Sequence, residues 1–357
     1  MSSWRRRVIT AGRAVEERLD RLRFGIRRRT GRLSPIEIVP YRGHGTRDEL
    51  FLKGRVLETL GLPPSTAEDS WRRNLRNMGR RFLSSEVPYA RIRAYHDGQE
   101  IEAKADNEGY FDLRFELAQP LEDDASWRKV RVDLVWPRTG DESRARGRVL
   151  VPTRARFGVI SDLDDTVLQS SVTHFLKMVR VVLLCNAHTR LPFEGVAAFY
   201  RALQRGASGG EFNPIFYVSS SPWNLYDLLE EFMDLHGLPA GPLFLRDWSP
   251  TKLRGGTEHK LRVIRTLLAT YPDLPFVLIG DSGERDPEIY HKVVCEHPGR
   301  ISAVYIRDVT TTKRDAAVHE ISRELRDLGV DMLLTTDTVE AANHAAERGL
   351  ISFGLRP

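Results

Sequence analysis

The sequence predicts an α/β protein in three parts. A doubly wound parallel sheet spans residues 157–357, an antiparallel β-sandwich spans 50–152 ahead of it, and an amphipathic helix leads the chain. Three observations carry that prediction. From residue 157, short apolar runs alternate with segments of helical period, as in β and α units wound into a parallel sheet. Between residues 50 and 151 apolar side chains recur at every second position between turn signals, the pattern of short antiparallel strands. Over residues 4–26 they recur at every third or fourth position, as one stripe along a helix.

The arm comes first. Trp4, Val8, Ala11, Val15, Leu19, Leu22 and Ile26 form the stripe. Eleven arginines against Glu16, Glu17 and Asp20 give residues 1–34 a charge of +8, while the whole chain carries only +5, which leaves −3 for the remainder. A basic amphipathic helix suits an anionic membrane surface, here through residues 4–29; docking on a protein surface is the alternative. Basicity confined to one arm argues against a nucleic-acid partner. Pro35 and Pro40 mark residues 35–49 as a linker.

The sandwich region opens at Leu52–Leu57. Trp71, Leu75, Met78 and Phe82 share a helical face and interrupt it. Strands follow at Tyr89–Tyr95 and Ile101–Ala105 around the tight-turn pair Asp97-Gly98. After Asn107-Glu108-Gly109, Phe111, Leu113, Phe115 and Leu117 alternate. Val130, Val132, Leu134 and Trp136 do the same, and a last strand lies near Arg148–Val151. The stretch DNEGYFDLRF resembles transthyretin-like and carboxypeptidase-regulatory-like sandwiches. The region shows no catalytic constellation.

In the third part the expected strands are 157–161, 215–219, 243–246, 276–280, 302–306 and 331–335. Helices are expected near 195–205, 223–236, 258–270, 287–296 and 315–328, with a last one capped by Asp337 and Glu340. Parallel sheets of this kind carry their sites at the carboxyl ends of the strands. The first strand runs into Ser161-Asp162-Leu163-Asp164-Asp165-Thr166. A buried strand that stops at clustered carboxylates is costly unless a cation compensates the charge, and hard oxygen ligands suit a divalent ion. The second strand ends in Ser219-Ser220-Ser221, and the fourth in Asp281-Ser282-Gly283-Glu284-Arg285-Asp286. A helix beginning near Thr257 carries Lys260.

Composition bounds the rest. A chain of 357 residues holds about two domains. Cys185 and Cys295 lack any metal spacing or disulfide framework, which suits a reducing compartment. The start has no apolar signal core, and no apolar run approaches the roughly 18 residues of a membrane span. The expected location is cytoplasmic, peripheral on the inner face of the membrane. Neither a G-x-G-x-x-G turn nor a G-x-x-x-x-G-K-[ST] loop is present, which argues against dinucleotide binding and nucleoside triphosphate hydrolysis.

The order of the four motifs resembles the haloacid-dehalogenase-like phosphohydrolases. The strings SDLDDT, NAHTRLPFEGVAAFYRAL, YVSSSPWN and GDSGERDPEIY resemble the catalytic domain of the actin-patch-associated phosphatidate phosphatase family, relatives of the lipins. The resemblance implies Mg²⁺ as cofactor. It implies Asp162 as the nucleophile that forms an aspartyl-phosphate, and Asp164 as the acid that protonates the leaving alkoxide and then activates water. Asp162, Asp281 and the backbone carbonyl of Asp164 would hold the metal. Asp286 would support the metal's water shell or cap the next helix. Ser219, with Ser220 as the alternative, would bond a phosphoryl oxygen. Lys260, with Lys252 as the competitor, would neutralise charge. Thr166 would hold the loop after the first strand. His188, Trp223, Lys252 and Arg254 are candidates on the substrate side. Phe175, Met178, Val179, Val182 and Leu183 read as one helix over the entrance, a cap small enough to admit a lipid head group.

The leading function is therefore an Mg²⁺-dependent phosphomonoesterase whose substrate is phosphatidate and whose product is diacylglycerol. The alternatives are a phosphatase of a soluble phosphomonoester or phosphoprotein, and an inactive membrane-associated adaptor. The sequence is silent on oligomeric state.

Overall fold

The computed structural model describes residues 35–58, 86–122, 126–137, 143–163, 193–246, 256–308 and 315–352. Their strands fall into two sheets. The first contains β1 (Ile36–Pro40), β2 (Gly43–Gly45), β3 (Glu49–Glu58), β4 (Arg91–His96), β5 (Gln99–Lys104), β6 (Tyr110–Glu116), β7 (Trp127–Trp136) and β8 (Arg144–Leu150). Its order is β1-β3-β2-β8-β7-β4-β5, with β6 also on β3. The β1–β3, β3–β6, β4–β5 and β4–β7 pairs are antiparallel. Alternation decides which side chains face in: every second residue of β3 and of β6 is buried. Leu50, Leu52, Val56, Ile92, Phe111, Phe115, Val130 and Val132 form the core. His96 pairs with Gln99 across the β4–β5 hairpin. Its two turn residues, Asp97 and Gly98, both have positive φ, 44° and 79°, as a twisted two-residue turn requires.

Two sequence expectations change here. The segment 35–49, read as a linker, contains β1 and β2; Ile36 and Ile38 are buried against the sheet while Glu37 points out. The two prolines frame a strand, with Pro40 at its last position, where a missing N–H is tolerated. The strands also form one continuous eight-stranded sheet. The ten residues of β3 are long enough to pair with different neighbours along their length. The N-terminal arm and the helix expected from Trp71 to Phe82 lie outside the described residues.

The second sheet contains β9 (Gly158–Asp162), β10 (Ile215–Pro222), β11 (Leu243–Arg246), β12 (Phe276–Asp281), β13 (Ile301–Arg307) and β14 (Met332–Thr335). Its order is β11-β10-β9-β12-β13-β14, and every pair is parallel. The first strand is thus central: the chain builds outward to β11, then returns to β12 on the other side. The reversal beside β9 is the kind of switch point where parallel sheets bind ligands. The connecting helices are α1 (Phe193–Arg205), α2 (Tyr226–Leu235), α3 (Gly256–Thr270), α4 (Asp286–Glu296), α5 (Asp315–Asp327) and α6 (Thr338–Glu347).

Both faces of this sheet are covered, so its strands read as unbroken apolar runs. Ile160, Phe216, Leu278, Val304 and Ile306 pack with Ile264 and Leu267 of α3, Val293 of α4 and Leu325 of α5. The residues between them face α1 and α6. Tyr217 stacks on Tyr200, Tyr305 meets Phe199 edge-on, and the Tyr305 hydroxyl lies 3.1 Å from His344 Nδ1. Asp337 caps α6 by accepting the Val339 N–H at 2.8 Å. The expected reciprocal box is replaced: Glu340 accepts from the Thr335 hydroxyl, which itself accepts the Asp337 N–H.

The described residues separate into two compact units, and His44–Asp48 and Leu117–Trp127 belong with the second. The Tyr271 hydroxyl donates to the Gly45 carbonyl at 3.1 Å, Arg47 Nη1 donates to the Leu121 carbonyl at 2.6 Å, and the His44 ring meets Phe244 edge-on. Local hydropathy places His44–Asp48 in the linker and Leu117–Trp127 in the sandwich, because bonds between positions far apart in the chain leave no mark on it. Among the described residues no helix is long and apolar enough to cross a membrane.

Candidate active site

Two neighbouring strands deliver the acids. β9 ends at Asp162 and β12 ends at Asp281, and the register that sets Ile279 beside Ser161 brings both to one edge. A short loop then leads into α4, whose first residue is Asp286. One carboxylate oxygen from each of Asp162, Asp281 and Asp286 lies within 4.8 Å of the others. All three residues are buried, at 7%, 2% and 0% exposure.

Lys260, near the start of α3, reaches into this cluster. Its Nζ lies 2.9 Å from Asp162 Oδ1, 2.6 Å from Asp286 Oδ1 and 2.8 Å from Glu284 Oε2. Burial lowers the pKa of this ammonium, but Asp286, Asp162 and Glu284 outweigh it and hold the lysine above its ordinary value. Among the described residues four carboxylates thus gather with one ammonium, a balance of −3 when all are ionised. Burial pushes Asp286 up to about 6 although Lys260 pulls it down. Asp281 Oδ1 accepts the Glu284 N–H at 2.8 Å, whereas Asp281 Oδ2 is buried with no hydrogen-bond partner among the described residues. A buried carboxylate oxygen left so is costly. An all-oxygen, strongly anionic donor set fits a hard divalent cation such as Mg²⁺ and no soft metal.

The surroundings hold these carboxylates in place. Gly280 leaves room for Asp286: a Cβ there would stand 2.3 Å from Asp286 Oδ2. That oxygen accepts the Asp281 N–H at 3.2 Å. Asp286 is therefore not the helix cap considered from sequence; Arg285 occupies that position, without a side-chain cap bond. One turn on, the Tyr290 hydroxyl donates to the Ile279 carbonyl at 2.8 Å. Burial, and then the nearby carboxylates, push its pKa well up, so the phenol stays neutral. Ser161 Oγ donates to the Asp162 carbonyl at 2.9 Å and accepts from the Tyr200 hydroxyl at 2.7 Å. The Leu163 N–H donates to the Val218 carbonyl at 3.1 Å.

The structure brings together Asp162, Lys260, Asp281 and Asp286 of the residues named from sequence. Ser219 is fully buried on β10, and its hydroxyl accepts the Ser221 N–H at 2.9 Å; Ser220 is half-buried. β10 runs on to Pro222, past the end expected for it. Trp223 opens a 3₁₀ turn and stacks on Tyr226. His259 lies 3.4 Å from the Phe244 carbonyl and 3.2 Å from an Arg262 nitrogen, and so supports α3. Asp164, Thr166, His188, Lys252, Arg254 and the helix expected near 175–183 lie outside the described residues. Sequence reasoning missed Glu284, Ser161, Tyr200 and Tyr290. A signal existed for two: Ser161 is the polar residue inside an apolar strand, and Glu284 sits within the acidic motif.

Residues 157–308 match the family described as phosphatidate phosphatase APP1, catalytic domain. Phosphatidate phosphatase APP1 of Saccharomyces cerevisiae is 32% identical over 169 residues, covering 46% of this chain and 28% of that protein. An uncharacterized protein of Schizosaccharomyces pombe is 30% identical over 165 residues, covering 44% of this chain and 26% of its own. The chain therefore spans little more than a quarter of the length of the curated relatives it matches. Among solved structures, a carbohydrate acetylesterase of Xanthomonas citri aligns over 85% of this chain and 72% of its own, at 13% identity and a TM-score of 0.31. That likeness is too slight to transfer a fold or an activity.

Proposed function

From the match of residues 157–308 to the catalytic domain of the phosphatidate phosphatase APP1 family we propose that this chain is an Mg²⁺-dependent phosphomonoesterase acting on phosphatidate. The observation that carries the reaction class is the buried cluster of Asp162, Asp281 and Asp286 beside Lys260, with the Asp281 Oδ2 atom lacking a hydrogen-bond partner among the described residues. The second sheet is read as a doubly wound haloacid-dehalogenase-like fold, in which the first strand ends in the nucleophile. Asp162 and Asp281 would hold the cation, together with the Asp164 carbonyl.

Bound Mg²⁺ would screen charge, so that a carboxylate can approach a phosphate dianion. Asp162 supplies the attacking oxygen: its bond to phosphorus forms as the bond to the alcohol oxygen breaks. Asp164 gives its proton to the departing alkoxide, then takes one from the water that opens the aspartyl-phosphate and releases phosphate. Lys260, protonated throughout, opposes the charge that gathers on the phosphoryl oxygens. Ser219, whose hydroxyl accepts the Ser221 N–H, is the proposed partner of a phosphoryl oxygen, and Ser220 is the alternative. Ser161 and Tyr200 fix the Asp162 carbonyl, and with it the direction from which the nucleophile approaches. Thr166 would steady the loop that carries Asp164.

The lipid substrate rests on the family and on the basic arm, whose residues 4–29 would hold the enzyme at an anionic membrane surface. His188, Trp223, Lys252 and Arg254 are the proposed head-group contacts. Purified protein, assayed with Mg²⁺ on phosphatidate vesicles and on a panel of soluble phosphomonoesters, tests both layers. Release of phosphate and diacylglycerol from vesicles is expected. Turnover confined to the soluble panel would keep the reaction and remove the lipid. No turnover on either, with the same trace from Asp162→Asn, would leave the adaptor reading.

A further inference from the structure

The Lys260 ammonium has three N–H groups, and three carboxylates stand around it. A phosphoryl oxygen that is to bond this lysine must take over one of those positions. Two of the three carboxylates are poor candidates to leave. The Asp162 and Asp286 side chains are wholly buried, so a carboxylate that let go there would find no solvent. Asp286 is also tied to the Asp281 N–H. Glu284 differs: its side chain is 38% exposed, and on leaving it turns into water. Its backbone N–H, bonded to Asp281 Oδ1, lets the loop stay anchored while the side chain swings.

We infer that Glu284 occupies, in the free protein, the position on Lys260 that the phosphoryl group takes on binding, and so sets the affinity of the site for phosphate dianions. The carboxylate and the phosphoryl oxygen are alternative acceptors for one N–H. The ion pair keeps the lysine aimed at the site between turnovers, and substrate must displace it. Glu284 acts through Lys260 and is a positioning residue. The inference rests on the phosphomonoesterase reading but concerns binding, so it is tested apart from turnover.

The experiment compares wild type, Glu284→Gln and Glu284→Asp, each as the full chain with Mg²⁺, by calorimetric titration with inorganic phosphate and by KM and kcat on a phosphomonoester. Melting temperatures check that each variant is folded. Glu284→Gln removes the competing charge and is expected to bind phosphate about three- to tenfold tighter, with KM falling by a similar factor and kcat moving less. Glu284→Asp keeps the charge but shortens the reach, and is expected to follow Glu284→Gln. Weaker phosphate binding by Glu284→Gln would overturn the inference, because Glu284 would then only hold Lys260 in place. A Glu284→Asp variant indistinguishable from wild type would overturn it too, because charge at a distance would suffice. Phosphate binding that shifts as expected in a protein without turnover would uphold the Glu284 seat and sink the enzymatic reading instead.

Discussion

The two sheets treat charge in opposite ways. On β4 and β5, Arg93 lies between Glu100 at 2.9 Å and Glu102 at 2.6 Å, and Arg91 reaches Glu102 at 3.1 Å. Two arginines face two glutamates, and all four side chains are substantially exposed. At the carboxyl edge of the second sheet, four carboxylates gather with Lys260 among the described residues, and three of them are buried. Charges in water contribute little whether paired or not. Charges withdrawn from water must be matched, and among the described residues this set carries more negative charge than positive. The imbalance marks the place where a ligand completes the balance, while the regular ladder marks a surface.

The sharpest way to break that contrast is Asp162→Asn. Loss of the nucleophile is expected to lower hydrolysis of any phosphomonoester by about a thousandfold or more, read by phosphate release; retention of more than a tenth of the rate would remove Asp162 from the chemistry. Next comes Lys260→Met. Without its ammonium the described carboxylate cluster is left unneutralised, and the metal-free protein is expected to lose about 3–5 kcal/mol in denaturant unfolding. Added Mg²⁺ should recover part of that loss, because it opposes the same charges.

A smaller effect depends on pH. Burial raises Asp286 to about 6 in the folded chain from an ordinary value near 3.8. Between those limits the native state binds more protons than the unfolded one, so metal-free stability falls as pH rises through the window. The penalty is complete above pH 6 and amounts at most to about 3 kcal/mol. Mg²⁺ should therefore raise the melting temperature more at pH 7.5 than at pH 5. An equal shift at both values would mean that the cation does not act on this cluster. The smallest effect is expected from Glu102→Gln on the exposed ladder, whose urea midpoint should coincide with that of wild type. A loss there comparable to that of Lys260→Met would erase the distinction between the two sheets.

Much of this contrast is visible before folding. Period-two alternation locates β3 to β7, and the apolar runs that stop at Asp162 and Asp281 locate the ends of β9 and β12, while β10 runs three residues past Ser219. Lys260, named from sequence with Lys252 as its competitor, lies 2.9 Å from Asp162, while Lys252 falls outside the described residues. Other features are not visible. Pro35 and Pro40 read as punctuation, yet Ile36 and Ile38 between them are buried in a sheet. Asp286 reads equally as a cap or a site residue, and only its bonds to Lys260 and to the Asp281 N–H decide between them. Glu284 reads as one more acid in an acidic loop until Lys260 arrives from a helix 24 residues earlier.

By itself the sequence determined the periodicities, the order of strands and helices, and the identity of the acids at the strand ends, because these depend on neighbours along the chain. Tertiary structure alone decided which acids share a lysine, which of them lose contact with water, and which segments pack with which unit. Those outcomes depend on distances between residues tens of positions apart, and the energy of a buried charge is fixed by what stands around it in space.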